Sequence, residues 1–486
     1  MSAPRKPGHV FDRDREWDAL IRFATSASSD VRLGIVSGRR RQGKTYLLDA
    51  VADAVGGFFY SATDSTETEA LADLGSVLAE RTGGGRYAFL NWEEALERLF
   101  AVVTEGLIVV DEFPYLSKAS PSLPSLIQRA LGPRGHGRKG NARLLLCGSA
   151  LSVMGRLLSG NAPLRGRASL ELMVRPLGYR EAAEFWGISD PRLAILVHSI
   201  VGGTPAYRRE FVAGDAPESL ADFDRWVLRT VLSPQVPLFR EARYLLAEDA
   251  EIRDTAIYHA VLGAIAAGNS TRGGIANYVG RKSPDIGHPL TVLEDSQLIT
   301  REGDPFRKGR SLYRVCEPLI VFYEAVMRRE WTRLERGDRA AAWRNSQATF
   351  LAQVVGPHFE SICRDWAISA GPDVFGEWPG EVAAACVADP LRHTQIQVDV
   401  TVLATDAPGR PRRVLSLGEA KWDKVMTMRH LERLRRARDL LSVRGYDTRA
   451  AKLACYSGAG FDADLRDTAR AGQDVRLISL DDLYRC

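Results

Sequence analysis

Long apolar runs are missing from this chain. No stretch reaches the roughly eighteen consecutive apolar residues that a bilayer span needs, so no membrane partner is expected. Cysteine is scarce, six residues (Cys147, Cys316, Cys363, Cys386, Cys455, Cys486) with no C-x-x-C spacing. That scatter suggests neither a disulfide framework nor a zinc site and fits a reducing cytosol. Residues 1 to 8 carry Arg5 and Lys6 with no apolar segment behind them, so a secretory leader is not expected and the protein reads as cytoplasmic. A surplus of one charge sign is also absent, since 65 Lys and Arg stand against 61 Asp and Glu. Only local clustering of charge could therefore point to nucleic acid. Low-complexity tracts are lacking, and with 45% hydrophobic and 26% charged residues the composition is globular rather than disordered. A length of 486 residues suggests about three domains.

What is present is organised around residues 31 to 49. Leu33, Ile35 and Val36 read as a buried strand, Gly38 to Thr45 spells G-x-x-x-x-G-K-T, and Tyr46 to Val55 has helical periodicity. A phosphate-binding loop needs that order, because Gly38 and Gly43 let the backbone turn so that N–H groups and a helix N-terminus face phosphate oxygens. The candidate ATP-binding residues are Gly38, Arg39, Arg40, Arg41, Gln42, Gly43, Lys44, Thr45 and Tyr46. Lys44 would reach the β- and γ-phosphates, and Thr45 would offer its hydroxyl to Mg²⁺. The bland alternative is a glycine-rich turn with a surface lysine.

Beyond the loop, strand-like and helix-like segments alternate from Phe58 to Val110, the signature of crossover units around a parallel sheet. The run Leu107 to Val110 ends in Asp111 and Glu112, where strand ends of an open α/β sheet meet ligands. Asp111 is the candidate second Mg²⁺ ligand and Glu112 the residue that positions the attacking water, although an Asp-Glu pair can simply cap a helix. Ser149, at the end of Arg143 to Gly148, is placed to sense the γ-phosphate. Arg167, with Arg165 beside it, is a candidate for transition-state charge in cis or in trans, and a solvated arginine is the alternative.

These segments resemble the archaeal-type ATPase family of bacteria and archaea, a branch of the STAND and AAA-related P-loop ATPases. The resemblance rests on Gly38 to Thr45, Val109 to Leu116, Leu146 to Ala150, Gly166 to Leu172 with Arg175 to Ala182, and Val201 to Tyr207. It implies five parallel strands, with one inserted between the loop strand and the Asp-Glu strand. It also implies a helical lid whose Gly202-Gly203-Thr204-Pro205 motif approaches the nucleotide.

From Thr255 to Val315 the pattern is helix, helix, helix, hairpin, a winged-helix arrangement whose hairpin carries Arg301, Arg307, Lys308, Arg310 and Arg314. Those cations could touch phosphates, or the module could serve as a relay. Arg328 to Asn345 reads as an Arg- and Ala-rich linker. In the last part, Asp399 on one strand and Glu419 and Lys421 on the next form the arrangement of the PD-(D/E)XK nuclease fold. This resembles the C-terminal domain of unknown function that commonly follows these ATPases. Asp399 and Glu419 would hold Mg²⁺ or Mn²⁺, Lys421 would orient water or offset phosphoryl charge, and Glu360 could add a carboxylate. A helix with Arg429, Arg433, Arg435, Arg436 and Arg438 could face a phosphate backbone or merely solvent.

The expected fold class is α/β, a P-loop NTPase sheet with a helical lid, followed by a winged helix and an α/β restriction-endonuclease-like domain. Its parts would span 8–180, 181–248, 249–328 and 340–486. The expected function is a Mg²⁺-dependent ATPase coupling nucleotide state to a C-terminal domain that binds, and as a nuclease cleaves, DNA or RNA. The alternative is an ATP-gated DNA-binding regulator or signalling scaffold with an inert last domain. A nucleotide-dependent homo-oligomer is a further candidate partner state.

Overall fold

Five short apolar runs become a parallel sheet in the computed structural model, which describes residues 4–28, 32–247 and 255–485. They are β1 (Leu33–Ser37), β2 (Phe58–Ser61), β3 (Glu105–Asp111), β4 (Asn141–Gly148) and β5 (Ala168–Met173), in the order β2-β3-β4-β1-β5. The inserted strand is β4, between the loop strand and the Asp-Glu strand. Both faces are covered, so alternate residues enter different cores. Ile108, Val110, Leu144 and Leu146 face one core. Leu107, Val109, Leu145 and Cys147 face the other, where Trp17, Leu20 and Phe23 of the helix Asp14–Thr25 also pack. Parallel pairing brings Ser37 level with Gly148 and ends β3 at Asp111. The polar strand ends thus share one edge with the phosphate-loop sequence.

Four helices follow the sheet, among them Tyr179–Trp186 and Pro191–Val201. The stretch expected as a linker is instead two helices, Arg328–Glu335 and Arg339–Thr349. Leu334, Ala342 and Trp343 are buried in a core that runs from the lid helices through residues 319–370 to the C-terminal sheet. Its arginines lie outside while Trp343 packs among Phe223, Phe322 and Phe350, which explains the misleading composition.

Helices Thr255–Ala266, Arg272–Val279 and Gly287–Asp295 precede an antiparallel hairpin, β6 (Ile299–Gly303) and β7 (Ser311–Val315). They share a small core of their own. The tip of the hairpin is not free. Phe306 is buried in the core of the second sheet against Tyr446, and Arg444 donates to the Phe306 carbonyl at 2.9 Å.

The second sheet comprises β8 (Glu381–Asp389), β9 (Thr394–Leu403), β10 (Val414–Lys421), β11 (Lys452–Ser457) and β12 (Val475–Ile478). The order is β12-β11-β10-β9-β8, antiparallel from β8 to β10 and parallel from β10 to β12. No strand is expected at β8, because Glu-Val-Ala-Ala-Ala-Cys-Val-Ala-Asp is poor in β-branched residues. Pairing with β9 overrides that weak propensity, with Ala383, Ala385 and Val387 alternating inward. Among the described residues no helix is long and apolar enough to cross a membrane. Val31, Cys486 and the expected lid boundary at 248 lie outside the described residues.

Candidate nucleotide site and a second carboxylate site

The glycine loop is held open by backbone geometry. Gly38 has φ 155°, and a Cβ there would stand 2.4 Å from the Val174 carbonyl, so only glycine fits. Arg41 and Gly43 adopt left-handed conformations, φ 68° and 81°. The helix Lys44–Val55 starts directly behind them with no side chain capping its N-terminus, which leaves its first N–H groups for a ligand. Lys44 is buried and donates to the Arg39 carbonyl at 2.8 Å; burial pulls its pKa below the usual lysine value.

The edge of the sheet supplies the acids. The Thr45 hydroxyl donates to Asp111 Oδ2 at 2.6 Å, placing two hard oxygens together at the loop. Glu112 sits in a left-handed conformation, φ 51°, which is costly for a non-glycine residue and aims its side chain away from the strand. Ser149 donates to the two Glu112 oxygens at 3.1 and 3.0 Å. Arg40 in turn donates to Ser149 Oγ at 3.4 Å and to the Tyr115 hydroxyl at 2.6 Å.

A cavity of about 660 Å³ opens over the loop. Arg40, Arg41, Gln42, Gly43, Lys44, Thr45, Tyr46 and Glu112 all line it. Ser149 reaches it through Glu112. Pro205 and Ala206, from the expected lid motif, line it as well, and Gln42 donates to Thr204 at 3.2 Å. Two expectations change. The Arg39 guanidinium leaves the cavity for the buried Glu317, 2.8 Å away. Arg167 lines a separate groove with Arg129, Arg134 and His136, so it is not brought to the loop of its own chain. Arg165 is likewise engaged elsewhere, donating to the Gly160 carbonyl at 2.6 Å.

Several lining residues escape sequence reasoning. Arg13, with φ 69°, donates to the Arg175 carbonyl at 2.7 Å and pins the chain before the first helix to the strand end beyond β5. Phe11, Phe185 and Arg209 form one wall, with Arg209 5.3 Å from the Phe185 ring and 5.5 Å from that of Tyr46. The usable signal was the aromatic and charged run Phe11 to Trp17 ahead of the first helix.

The second site lies where β9, β10 and the helix Gly356–Ser369 meet. Asp399 and Glu419 are 3% and 2% exposed. Lys421 Nζ stands 3.1 Å from Glu419 and 3.6 Å from Asp399. Asp399 also accepts from the Ala420 N–H at 3.0 Å. Burial raises the Asp399 pKa although Lys421 pulls the other way, whereas Lys421 is raised because Asp399 and Glu419 outweigh its burial. Burial, reinforced by Asp399, pushes Glu360 up to about 7. Glu419 Oε2 is buried with no hydrogen-bond partner. Among the described residues no group of three or more His, Cys, Asp or Glu stands close enough to hold a metal, so two carboxylates carry that expectation.

The basic surface expected beside this site is largely spent within the protein. Arg436 binds Asp389 at 2.8 Å, Arg438 binds Asp474 at 2.8 Å and Arg433 reaches Glu419 at 3.2 Å. In the hairpin, Arg307 donates to Gln395 at 3.1 Å, Arg310 to Asp304 at 3.4 Å and Arg314 to Glu302 at 2.7 Å. The partners come from distant parts of the chain, which a local charge count does not register.

Comparison with known proteins places the fold. No family model matches the chain. An uncharacterised protein of Methanocaldococcus jannaschii, MJECL04, is 28% identical over 318 residues, 64% of this chain and 67% of that protein. The Walker-type ATPase PABY2304 of Pyrococcus abyssi is similar in structure, with a TM-score of 0.50, 20% identity, and coverage of 67% of this chain and 99% of that one. The ORC2 protein of Aeropyrum pernix follows at a TM-score of 0.40 and 15% identity, covering 71% of this chain and 97% of its own. The chain therefore has the α/β fold of a P-loop ATPase around its five-stranded parallel sheet.

Proposed function

We propose that this protein is a Mg²⁺-dependent ATPase whose nucleotide state is transmitted to a nucleic-acid-directed C-terminal part. The observation that carries the ATPase reading is the cluster of Thr45, Asp111, Glu112 and Ser149 at the mouth of an uncapped, glycine-turned loop. In this reading the loop N–H groups and Lys44 bind the phosphates, while Phe11, Phe185 and Tyr46 offer apolar contact to the base. Thr45 and Asp111 would hold Mg²⁺, which neutralises phosphate charge when bound. Glu112 accepts a hydrogen bond from the attacking water, and Ser149 keeps that carboxylate in place. The water oxygen bonds to the γ-phosphorus, the bond to the β,γ-bridging oxygen breaks, and ADP departs with its electron pair. Glu112 takes the water proton and returns it to the released phosphate. Turnover by the wild type and its loss in Lys44→Ala test the assignment; equal phosphate release from both would refute it.

The second half of the proposal treats residues 249–328 as a winged helix and 340–486 as a PD-(D/E)XK nuclease-like unit, after the ATPase core at 8–180 and the lid at 181–248. The buried Phe306 supports a winged helix that acts as a relay rather than as a DNA reader. The unpartnered Glu419 Oε2 fits a metal ligand, and Asp399 would share that ion, while Lys421 would orient water. A metal bound there would polarise a phosphodiester. A second reading, an inert last domain in a scaffold that binds protein or DNA, is favoured by Lys421 and Arg433 already neutralising Glu419. Incubating plasmid and single-stranded DNA with Mg²⁺ or Mn²⁺, with and without ATP, separates the two. Cutting abolished by Asp399→Ala supports the nuclease, and no cutting under any condition supports the scaffold.

A further inference from the structure

We propose that Arg40 is the γ-phosphate arginine of this ATPase, supplied by the loop itself and not by a neighbouring subunit. The inference rests on the ATPase reading above and goes beyond it by assigning the charge that offsets the transferring phosphoryl group.

The three loop arginines share a sequence context yet have different fates. Arg39 reaches the buried Glu317 at 2.8 Å and Arg41 the buried Glu241 at 2.6 Å, so both tie the loop to helical parts of the chain. Arg40 instead turns across the loop towards the ends of β3 and β4. Its Nη2 donates to Tyr115 at 2.6 Å and its Nε to Ser149 at 3.4 Å, and Ser149 holds Glu112. The guanidinium therefore shares one hydrogen-bonded cluster with the carboxylate that positions water. Hydroxyl groups are neutral partners, which a guanidinium can share with an incoming phosphate.

Enclosure supports a source within the chain. Arg40 lines both the main cavity and a small one of about 50 Å³ beside it. The far wall of the small cavity is Leu245, Ser296 and Leu298, from the lid and the hairpin module of the same chain. The side of the loop from which another copy would present an arginine is thus covered by the protein itself. Arg165 and Arg167 project elsewhere. A planar fork with several donors suits an expanding phosphoryl group, and Arg40 stabilises charge there without giving or taking a proton.

The test uses the full chain as wild type, Arg40→Ala and Arg40→Lys. Three quantities are measured: affinity for ADP, affinity for ADP with aluminium fluoride, and kcat for ATP over a range of protein concentrations. In Arg40→Ala the expected loss in kcat is about 10²–10³-fold, with a matching loss in aluminium fluoride affinity and ADP affinity within about threefold. Arg40→Lys recovers only a small part, and wild-type kcat per chain does not depend on concentration. Either variant matching the wild type within about threefold in kcat and fluoride affinity overturns the proposal, and Arg40→Lys carries that test alone if Arg40→Ala fails to fold. A wild-type kcat that rises with concentration and collapses in Arg167→Ala also overturns it. Failure of the underlying reading looks different, because the wild type would then bind neither ADP nor ATP.

Discussion

The loop site and the carboxylate site are built from different materials. In the first, a glycine-turned main chain between residues 38 and 45 and one strand end at 111 and 112 make the site, and helices Asp14–Thr25 and Lys44–Val55 brace it. In the second, side chains at 360, 399, 419 and 421 come from a helix and two strands, and buried charges face one another. Main-chain donors cost nothing to desolvate separately once the loop has folded, so the first site stands ready for an anion. Buried carboxylates repel, so the second depends on Lys421 and Arg433 until another cation arrives. Readiness in one site and internal neutralisation in the other are what an ATP-controlled effector would combine.

Removing the loop cation should have the largest effect. Lys44→Ala is expected to lower phosphate release about 10³-fold, and activity within tenfold of wild type would remove the distinction between the two sites. Next comes Phe306→Ala, which empties an aromatic site between the hairpin and the second sheet. A loss of about 3 kcal/mol in urea unfolding is expected, and a negligible change would mean that the hairpin tip does not bind the two parts together. Glu112→Gln should slow hydrolysis about 10²-fold while ADP affinity is retained; loss of binding would contradict its role in placing water.

The smallest effect concerns Glu360, whose pKa is raised from 4.5 to about 7 in the folded chain. A carboxyl raised on folding contributes stability below its unfolded pKa and loses that contribution as pH climbs through the folded value. Wild-type stability should therefore fall between pH 4.5 and about 7 relative to Glu360→Gln, with a slope of at most about 1.4 kcal/mol per pH unit. Parallel urea midpoints for the two proteins across that window would show instead that burial at Glu360 is relieved.

Legibility followed the same division. The phosphate loop, its strand and helix, and the Asp111-Glu112 strand end are local patterns, and all stand where periodicity and turn chemistry put them. Glu419 and Lys421 were visible as a pair on one face of β10 because strands alternate. What pairing decides was not visible. β8 is made of alanines that only β9 turns into a strand, and Arg328 to Asn345 hides its role because Trp343 is one residue among many charges. Arg39, Arg40 and Arg41 cannot be told apart in a linear reading, since Glu317, Glu241, Tyr115 and Ser149 distinguish them.

The apolar core that runs through Trp343, Phe350 and Phe359 has a consequence for how this protein can be divided. A gene break or a protease cut between residues 319 and 370 leaves aromatic surface on both products, and neither fragment has a partner for it other than the piece it lost. Loop and carboxylate site are therefore expressed, degraded and inherited as one unit, so neither can drift into independent use without first acquiring a new covering for those rings.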